Sequence, residues 1–251
     1  MSFSLRLLIA MLPLGLAIGG IVSLLFIIKQ PGRFPLRVIE IQSELKWMSS
    51  EAITQILSPD LEQGFFGIDV EAIQKKVNHL PWVSNSTVQR VWPDRISVTL
   101  TEQNPLARFG EKGVLSTEGK IFYPELRGSE LNILPAGYPW FTGPEKMATE
   151  MLKQYLDFLE MLSPLGLSIA ELHLSEEGSY KIVLDNGIAI ILGKAAINER
   201  MGRFILVYPN QLKKEIQRIA YLDLRYTNGV AIGWKATTNS AITNNISSGA
   251  Y

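Results

Sequence analysis

Few residues in this chain are of types that could do covalent chemistry. There are two histidines, His79 and His173, which stand far apart with no metal-ligand spacing around either. Cysteine is absent, which excludes disulfides, thiolate metal sites and cysteine nucleophiles. No Gly-x-Ser-x-Gly, Ser-x-x-Lys, phosphate-binding glycine loop or His-Glu-x-x-His occurs. The acidic pair Glu176-Glu177 precedes Gly178 and reads as a solvated turn. Nothing implies a catalytic residue, a metal, a cofactor or a small-molecule substrate. What the chain does offer is recognition chemistry, concentrated in residues 220–234 (AYLDLRYTNGVAIGW). Tyr226 and Trp234 are the side-chain types that most often anchor interfaces, and Arg225 can fork onto a carboxylate. Leu222, Leu224 and Tyr226 alternate with Tyr221, Asp223 and Arg225, giving one apolar and one polar strand face. Two readings stay open for Tyr226 and Trp234. They complete the core, which the residues alone favour, or they flank a sheet edge to which a partner adds a strand.

The elements that must position this segment begin with an anchor. Residues 7–28 (LLIAMLPLGLAIGGIVSLLFII) carry no charge, and at ~1.5 Å per residue they cross a ~30 Å hydrocarbon layer. The alternative, a cleaved signal peptide, fits less well: the run is long and ends Leu-Leu-Phe-Ile-Ile-Lys rather than in small residues. Arg6 lies before it, and Lys29, Arg33 and Arg37 after it. Taken alone, the positive-inside rule would keep the body in the cytoplasm, but that rule weakens for long translocated domains. Beyond the anchor the composition is that of a folded protein, with 47% hydrophobic and 19% charged residues. The length suits one large or two modest domains. Lys plus Arg equals Asp plus Glu at 24 each, so there is no basic excess of the kind nucleic-acid binding needs.

In residues 35–104, Leu36 to Ile41 alternates like a short strand. Ser49 or Ser50 caps a helix through Ile53, Ile56 and Leu57, and Pro59 is expected to stop it. Asp69 caps a second helix with Val70, Ile73 and Val77 on its apolar face. Two alternating strands follow, joined by a turn at Pro93-Asp94, with Trp82 and Trp92 expected to pack in the core or at strand ends. The order is strand, helix, helix, strand, strand, which predicts a three-stranded sheet covered on one face by two helices. Residues 105–234 show short strands about Leu106–Phe109, Val114 and Phe122. A Gly- and Pro-rich surface connection then runs to Gly143, followed by a helix through Met151 and Leu162. Strands about residues 171–174, 180–184 and 188–192 come next, the last two joined by Asp185-Asn186-Gly187. A helix ending before Pro209 and a short basic helix with Leu212 and Ile216 precede the closing element.

Several phrases in this order resemble a known family. Gly64-Phe65-Phe66-Gly67-Ile68-Asp69, Leu80-Pro81-Trp82-Val83 and Val88-Gln89-Arg90-Val91-Trp92-Pro93-Asp94 are similar to the polypeptide-transport-associated (POTRA) domain. Thr101 to Phe109, and the closing Asp223-Leu224-Arg225-Tyr226 with its Gly233-Trp234 ending, resemble the bacterial FtsQ/DivIB cell-division family. The resemblance implies an α+β protein: a cytoplasmic tail (1–6), a transmembrane helix (7–28), a linker (29–34) and a POTRA domain (35–104). A second α+β domain follows (105–234), built on an antiparallel sheet with an exposed terminal strand. Residues 235–251 read as a disordered tail from their composition. It also implies an inner-membrane, single-pass protein with its body in the periplasm, enriched at the septum. Such a protein acts as a non-enzymatic divisome scaffold that helps control septal peptidoglycan synthesis. The partners implied are FtsB and FtsL at the closing strand, through Arg225, Tyr226, Asn228, Gly229, Val230, Ile232 and Trp234, and other division proteins at the POTRA domain. Two features depart from the family: the tail before the anchor is very short, and Glu176-Glu177 stands where some relatives carry basic residues. The alternatives are a POTRA-bearing translocation or chaperone module and a membrane-tethered envelope enzyme.

Overall fold

The computed structural model describes residues 16–23, 27, 34–124, 134–227 and 229–235. Residues 16–23 are helical and exposed. Among the described residues no helix is long and apolar enough to cross a membrane. Most of the expected span at residues 7–28, like the expected tails, lies outside the described residues. The chain divides into two units, the first ending at Gln103 and the second beginning at Asn104.

The first unit runs β1 (Val38–Ile41), α1 (Ser50–Leu61), α2 (Val70–Asn78), β2 (Val83–Val91) and β3 (Arg95–Glu102). Its sheet has the order β1-β3-β2, with β1 parallel and β2 antiparallel to the central β3. Both helix starts are fixed by side chains. Ser49 accepts from the Ala52 N–H, and Asp69 accepts from those of Glu71 and Ala72. The helices bury Ile53, Leu57, Ile73 and Val77 against Val83, Val88, Ile96 and Val98. Pro59 does not end α1, which continues to Leu61. The Ser58 hydroxyl lies 2.8 Å from the Thr54 carbonyl and 3.1 Å from that of Gln55. The carbonyl that Pro59 deprives of an N–H therefore keeps a donor beside it. Trp92 is 74% exposed at the β2–β3 turn rather than packed. Trp82 instead stacks on Trp47 at 4.8 Å. In the Gly64–Gly67 turn, Gly64 is left-handed at φ 72°. Gly67 passes so close to Gln63 that a Cβ would lie 2.3 Å from its carbonyl oxygen.

The second unit holds β4 (Pro105–Phe109), β5 (Gly113–Ser116), β6 (Ile121–Phe122), β7 (Trp140–Thr142), α3 (Ala148–Leu162), β8 (Ile169–Leu174), β9 (Tyr180–Leu184), β10 (Ala189–Gly193), α4 (Ile197–Val207), β11 (Ile219–Asp223) and β12 (Ala231–Trp234). Among the described residues its strands form one nine-stranded sheet, ordered β12-β11-β10-β9-β8-β7-β4-β5-β6. The expected antiparallel sheet is in fact mixed: β4–β7, β7–β8 and β10–β11 are parallel pairs. The physical reason lies in the connections. α3 separates β7 from β8 and α4 separates β10 from β11, and such crossovers bring neighbouring strands back in the same direction. The supposed surface connection before Gly143 contains β7, whose Phe141 is fully buried. The short basic helix is instead a π turn over Tyr208–Leu212 and a 3-10 turn over Lys213–Arg218. The chain rewinds there because Pro209 has no N–H to continue α4. Phe141, Leu172, Ile182, Ile190 and Leu222 of the sheet meet Met151 and Phe158 of α3 and Met201 and Phe204 of α4 in one core.

Candidate functional site

The sheet of the second unit ends at β6 on one side and β12 on the other. β6 is two residues long, too short to template a partner, whereas β12 has four. Its register against β11 is Asp223↔Ala231, Leu222↔Ile232, Tyr221↔Gly233 and Ile219↔Trp234, with an irregularity between Ile219 and Tyr221. The Lys235 backbone N–H donates to the Arg218 carbonyl at 2.8 Å and carries the ladder one step past the strand. This fixes the phase: the backbone groups of Ala231 and Gly233 turn toward β11, and those of Ile232 and Trp234 turn outward. β12 neighbours β11 alone, so among the described residues those outward groups face no further strand.

Side chains frame this edge on both sides. Tyr226 is 60% and Trp234 52% exposed, so neither ring completes the core. Only part of the closing segment is strand. β11 stops at Asp223, and Arg225, Tyr226, Gly229 and Val230 belong to the connection before β12. Asn228 lies outside the described residues. Leu224, expected on the apolar strand face, is buried just past the strand end. Asp223, expected on the polar face, is also buried and is satisfied by Arg225, whose Nε and Nη2 donate at 2.9 and 2.7 Å while its backbone N–H donates at 3.0 Å. That guanidinium holds the Asp223 carboxyl below the ordinary aspartate range. At the far end, the Arg218 guanidinium lies 5.4 Å from the Trp234 ring centroid and also pairs with Glu215 at 2.9 Å. The Tyr221 ring covers Gly233 so closely that a Cβ there would meet ring carbons at 2.1–2.5 Å. Beside the strand runs a groove of about 290 Å³, walled by Leu206, Val207 and Leu212 on one side and by Gly229, Val230 and Ile232 on the other, with Arg203 and Gln211.

Two residues not singled out in the sequence shape this site. Arg203 on α4 donates to the carbonyls of Leu224 (3.1 Å), Tyr226 (2.7 Å) and Thr227 (2.6 Å). Arg200, one turn earlier, donates to the carbonyls of Leu192 (2.5 Å) and Arg225 (3.3 Å). Their three-residue spacing puts both on one helix face, but helical pattern cannot tell a guanidinium that binds a loop from one in water.

The remaining candidates for chemistry disperse. His79 closes α2, with Nδ1 2.6 Å from the Lys75 carbonyl, and His173 pairs with Glu171 at 2.8 Å on β8. Glu176 and Glu177 are exposed in the β8–β9 turn. Among the described residues no cluster of His, Cys, Asp or Glu could hold a metal ion. The arrangement at β12 suits recognition of backbone and apolar side chains.

The β-α-α-β-β order of the first unit is that of a POTRA domain, so the class is a POTRA-bearing α+β protein with a second unit that ends in an open sheet edge. Comparison with known proteins narrows this. Residues 34–103 match the family model "POTRA domain, FtsQ-type", and residues 106–225 match "Cell division protein FtsQ/DivIB, C-terminal". That second match stops before β12. Proteins named "Cell division protein FtsQ" are similar over most of the chain. The one from Coxiella burnetii is 30% identical over 90% of this chain and 92% of its own length. That from Vibrio cholerae is 34% identical over 80% and 76%, and that from Allochromatium vinosum 31% over 96% and 94%. The chain belongs to the FtsQ/DivIB family of cell division proteins.

Proposed function

We propose that the chain is a single-pass inner-membrane scaffold of the divisome. Residues 7–28 hold it in the bilayer with the amino terminus in the cytoplasm and both units in the periplasm, at the septum. Its task is to bring FtsB, paired with FtsL, into the division assembly by strand addition at β12, and so to help control septal peptidoglycan synthesis. The first unit, with β2 at its sheet edge, contacts other division proteins. Arg225, Tyr226, Asn228, Gly229, Val230, Ile232 and Trp234 form the contact.

The observation that carries this reading is the open outer side of β12 between two exposed aromatic rings and an apolar groove. A strand laid along Ile232 and Trp234 gains backbone hydrogen bonds of about 0.5–1.5 kcal/mol net each. Its alternate side chains reach the groove on one face and the Tyr221 ring on the other. Tyr226 and Trp234 each contribute ~2 kcal/mol as anchors.

The test is titration of a synthetic FtsB peptide onto the full chain in lipid nanodiscs. Tyr226→Ala and Trp234→Gly should each weaken binding at least about thirtyfold with thermal unfolding unchanged; wild-type affinity in both variants refutes the assignment. A reporter active only in the periplasm, fused to the carboxy terminus, checks the topology, and activity of a cytoplasmic reporter instead would reverse it.

A further inference from the structure

The described residues of the connection from β11 to β12 form no helix or strand, yet four consecutive backbone carbonyls among them have guanidinium donors. Arg203 takes those of Leu224, Tyr226 and Thr227, and Arg200 takes that of Arg225 together with Leu192 of β10. Every acceptor is backbone, so the two arginines hold the path of the chain whatever its side chains. Only guanidinium carries a planar fork of five donors able to do this. Room for the fork is provided at Gly193, where a Cβ would stand 2.8 Å from Arg200 Nη1 and 3.2 Å from Arg225 Cγ. α4 is itself immobilised by Met201 and Phe204, both fully buried. The rigidity of the core is thereby passed to a loop that is otherwise exposed. Arg203 also lines the groove, whose walls come from α4 and the π turn after it on one side and from Val230 and Ile232 on the other.

We infer that Arg203, supported by Arg200, is a positioning residue for the docking edge. It ties α4 to the hairpin, sets the width of the groove and holds β12 ready to accept an added strand. The inference rests on the proposed docking at β12. Without the clamp the hairpin samples other paths, the competent fraction falls, and apparent affinity falls by the same factor. The loss appears in the association rate, because a strand once docked orders β12 by its own ladder.

The experiment uses the full chain in nanodiscs, as wild type, Arg203→Gln and Arg203→Lys. Amide exchange is read at Ala231, Gly233 and Lys235, and binding kinetics with the FtsB peptide. Arg203→Gln should bring exchange at those amides close to the rate of an unprotected amide, leave β8 and β9 amides unchanged, and slow association about tenfold with dissociation within about twofold. Arg203→Lys, which keeps the charge but loses the fork, should fall between, and it carries the same readouts if Arg203→Gln does not fold. A purely structural role would slow no association step. Wild-type exchange in the variants, or faster exchange with an unchanged association rate, overturns the inference. A wild-type chain that binds no peptide refutes the docking reading instead, and the exchange data then decide by themselves whether Arg203 orders the hairpin.

Discussion

Replacing Gly233 by alanine adds one methyl group directly beneath the Tyr221 ring. The new Cβ would lie 2.1 Å from Tyr221 Cε1, 2.4 Å from Cδ1 and 2.5 Å from Cζ, whereas carbon atoms in contact settle near 3.5–4.0 Å. The ring must therefore move by more than about 1 Å, or leave its rotamer. Overpacking of this kind costs about 1–3 kcal/mol in a closed core, but Tyr221 is 46% exposed and can swing toward water. The cost then reduces to lost ring packing plus an off-rotamer term of about 0.5–1.5 kcal/mol, offset in part by the lower backbone entropy of alanine in a strand. A net destabilisation of about 1–2 kcal/mol follows, or a fall of roughly 2–8 °C in the unfolding temperature of a unit this size. A double-mutant cycle with Tyr221→Ala isolates the term. In the Tyr221→Ala background the same Gly233→Ala change should be neutral or slightly stabilising, since a strand prefers alanine to glycine once nothing covers it. An equal loss in both backgrounds would refute the claim that the ring is what Gly233 accommodates.

Two further outcomes follow from named contacts. The Asp223 carboxyl is held below its ordinary value by the Arg225 hydrogen bonds, so its contribution is complete above the unfolded-state pKa near 3.9 and disappears as pH falls through the lower folded value. Unfolding followed from about pH 5 downward should show this loss in the wild type, and Asp223→Asn should flatten that part of the profile; an identical profile removes Asp223 from the account. In the first unit, the Glu102 carboxylate accepts the backbone N–H groups of Lys46 (2.7 Å), Trp47 (3.1 Å) and Met48 (2.8 Å). Glu102→Gln keeps one acceptor oxygen and turns an NH2 toward those donors, so it should cost about 1–3 kcal/mol and speed exchange at the three amides. Protected amides in the variant would show that the loop is held by something else.

What could be read from the sequence was what depends on local pattern. Ser49 and Asp69 cap their helices as their types require, and the strands with a clear period of two, Tyr180–Leu184 above all, stand where the alternation puts them. What escaped depends on distant partners. Three residues, Trp140–Thr142, are too few to show a period, and Phe141 is buried because β4 and β8 happen to flank it. Strands this short do not announce parallel pairing by their composition alone, although the strand-helix-strand order around α3 and α4 carries that information. At the candidate site the alternation placed Leu222 correctly. It carried Tyr226 onto the same face only by assuming that the strand ran on, whereas β11 ends at Asp223. The clamp by Arg200 and Arg203 was not legible, because a helix pattern assigns a charged residue to the outside without saying what it meets there.

The state of Arg225 changes what kind of recognition the edge supports. In the sequence it stood as a cation awaiting a partner carboxylate. In the folded chain its guanidinium is already bound twice by Asp223, and its carbonyl is bound by Arg200. Arg203 is likewise engaged by carbonyls, and Arg218 by Glu215 and the Trp234 ring. A partner acid arriving at Arg225 would join an ion pair whose net charge is zero, and its attraction in solvent is correspondingly weak. Among the described residues, the outward backbone groups of Ile232 and Trp234 face no such partner strand. Among the described residues, then, the arginines around this edge are engaged within the chain, and what the edge presents outward is backbone and two exposed rings.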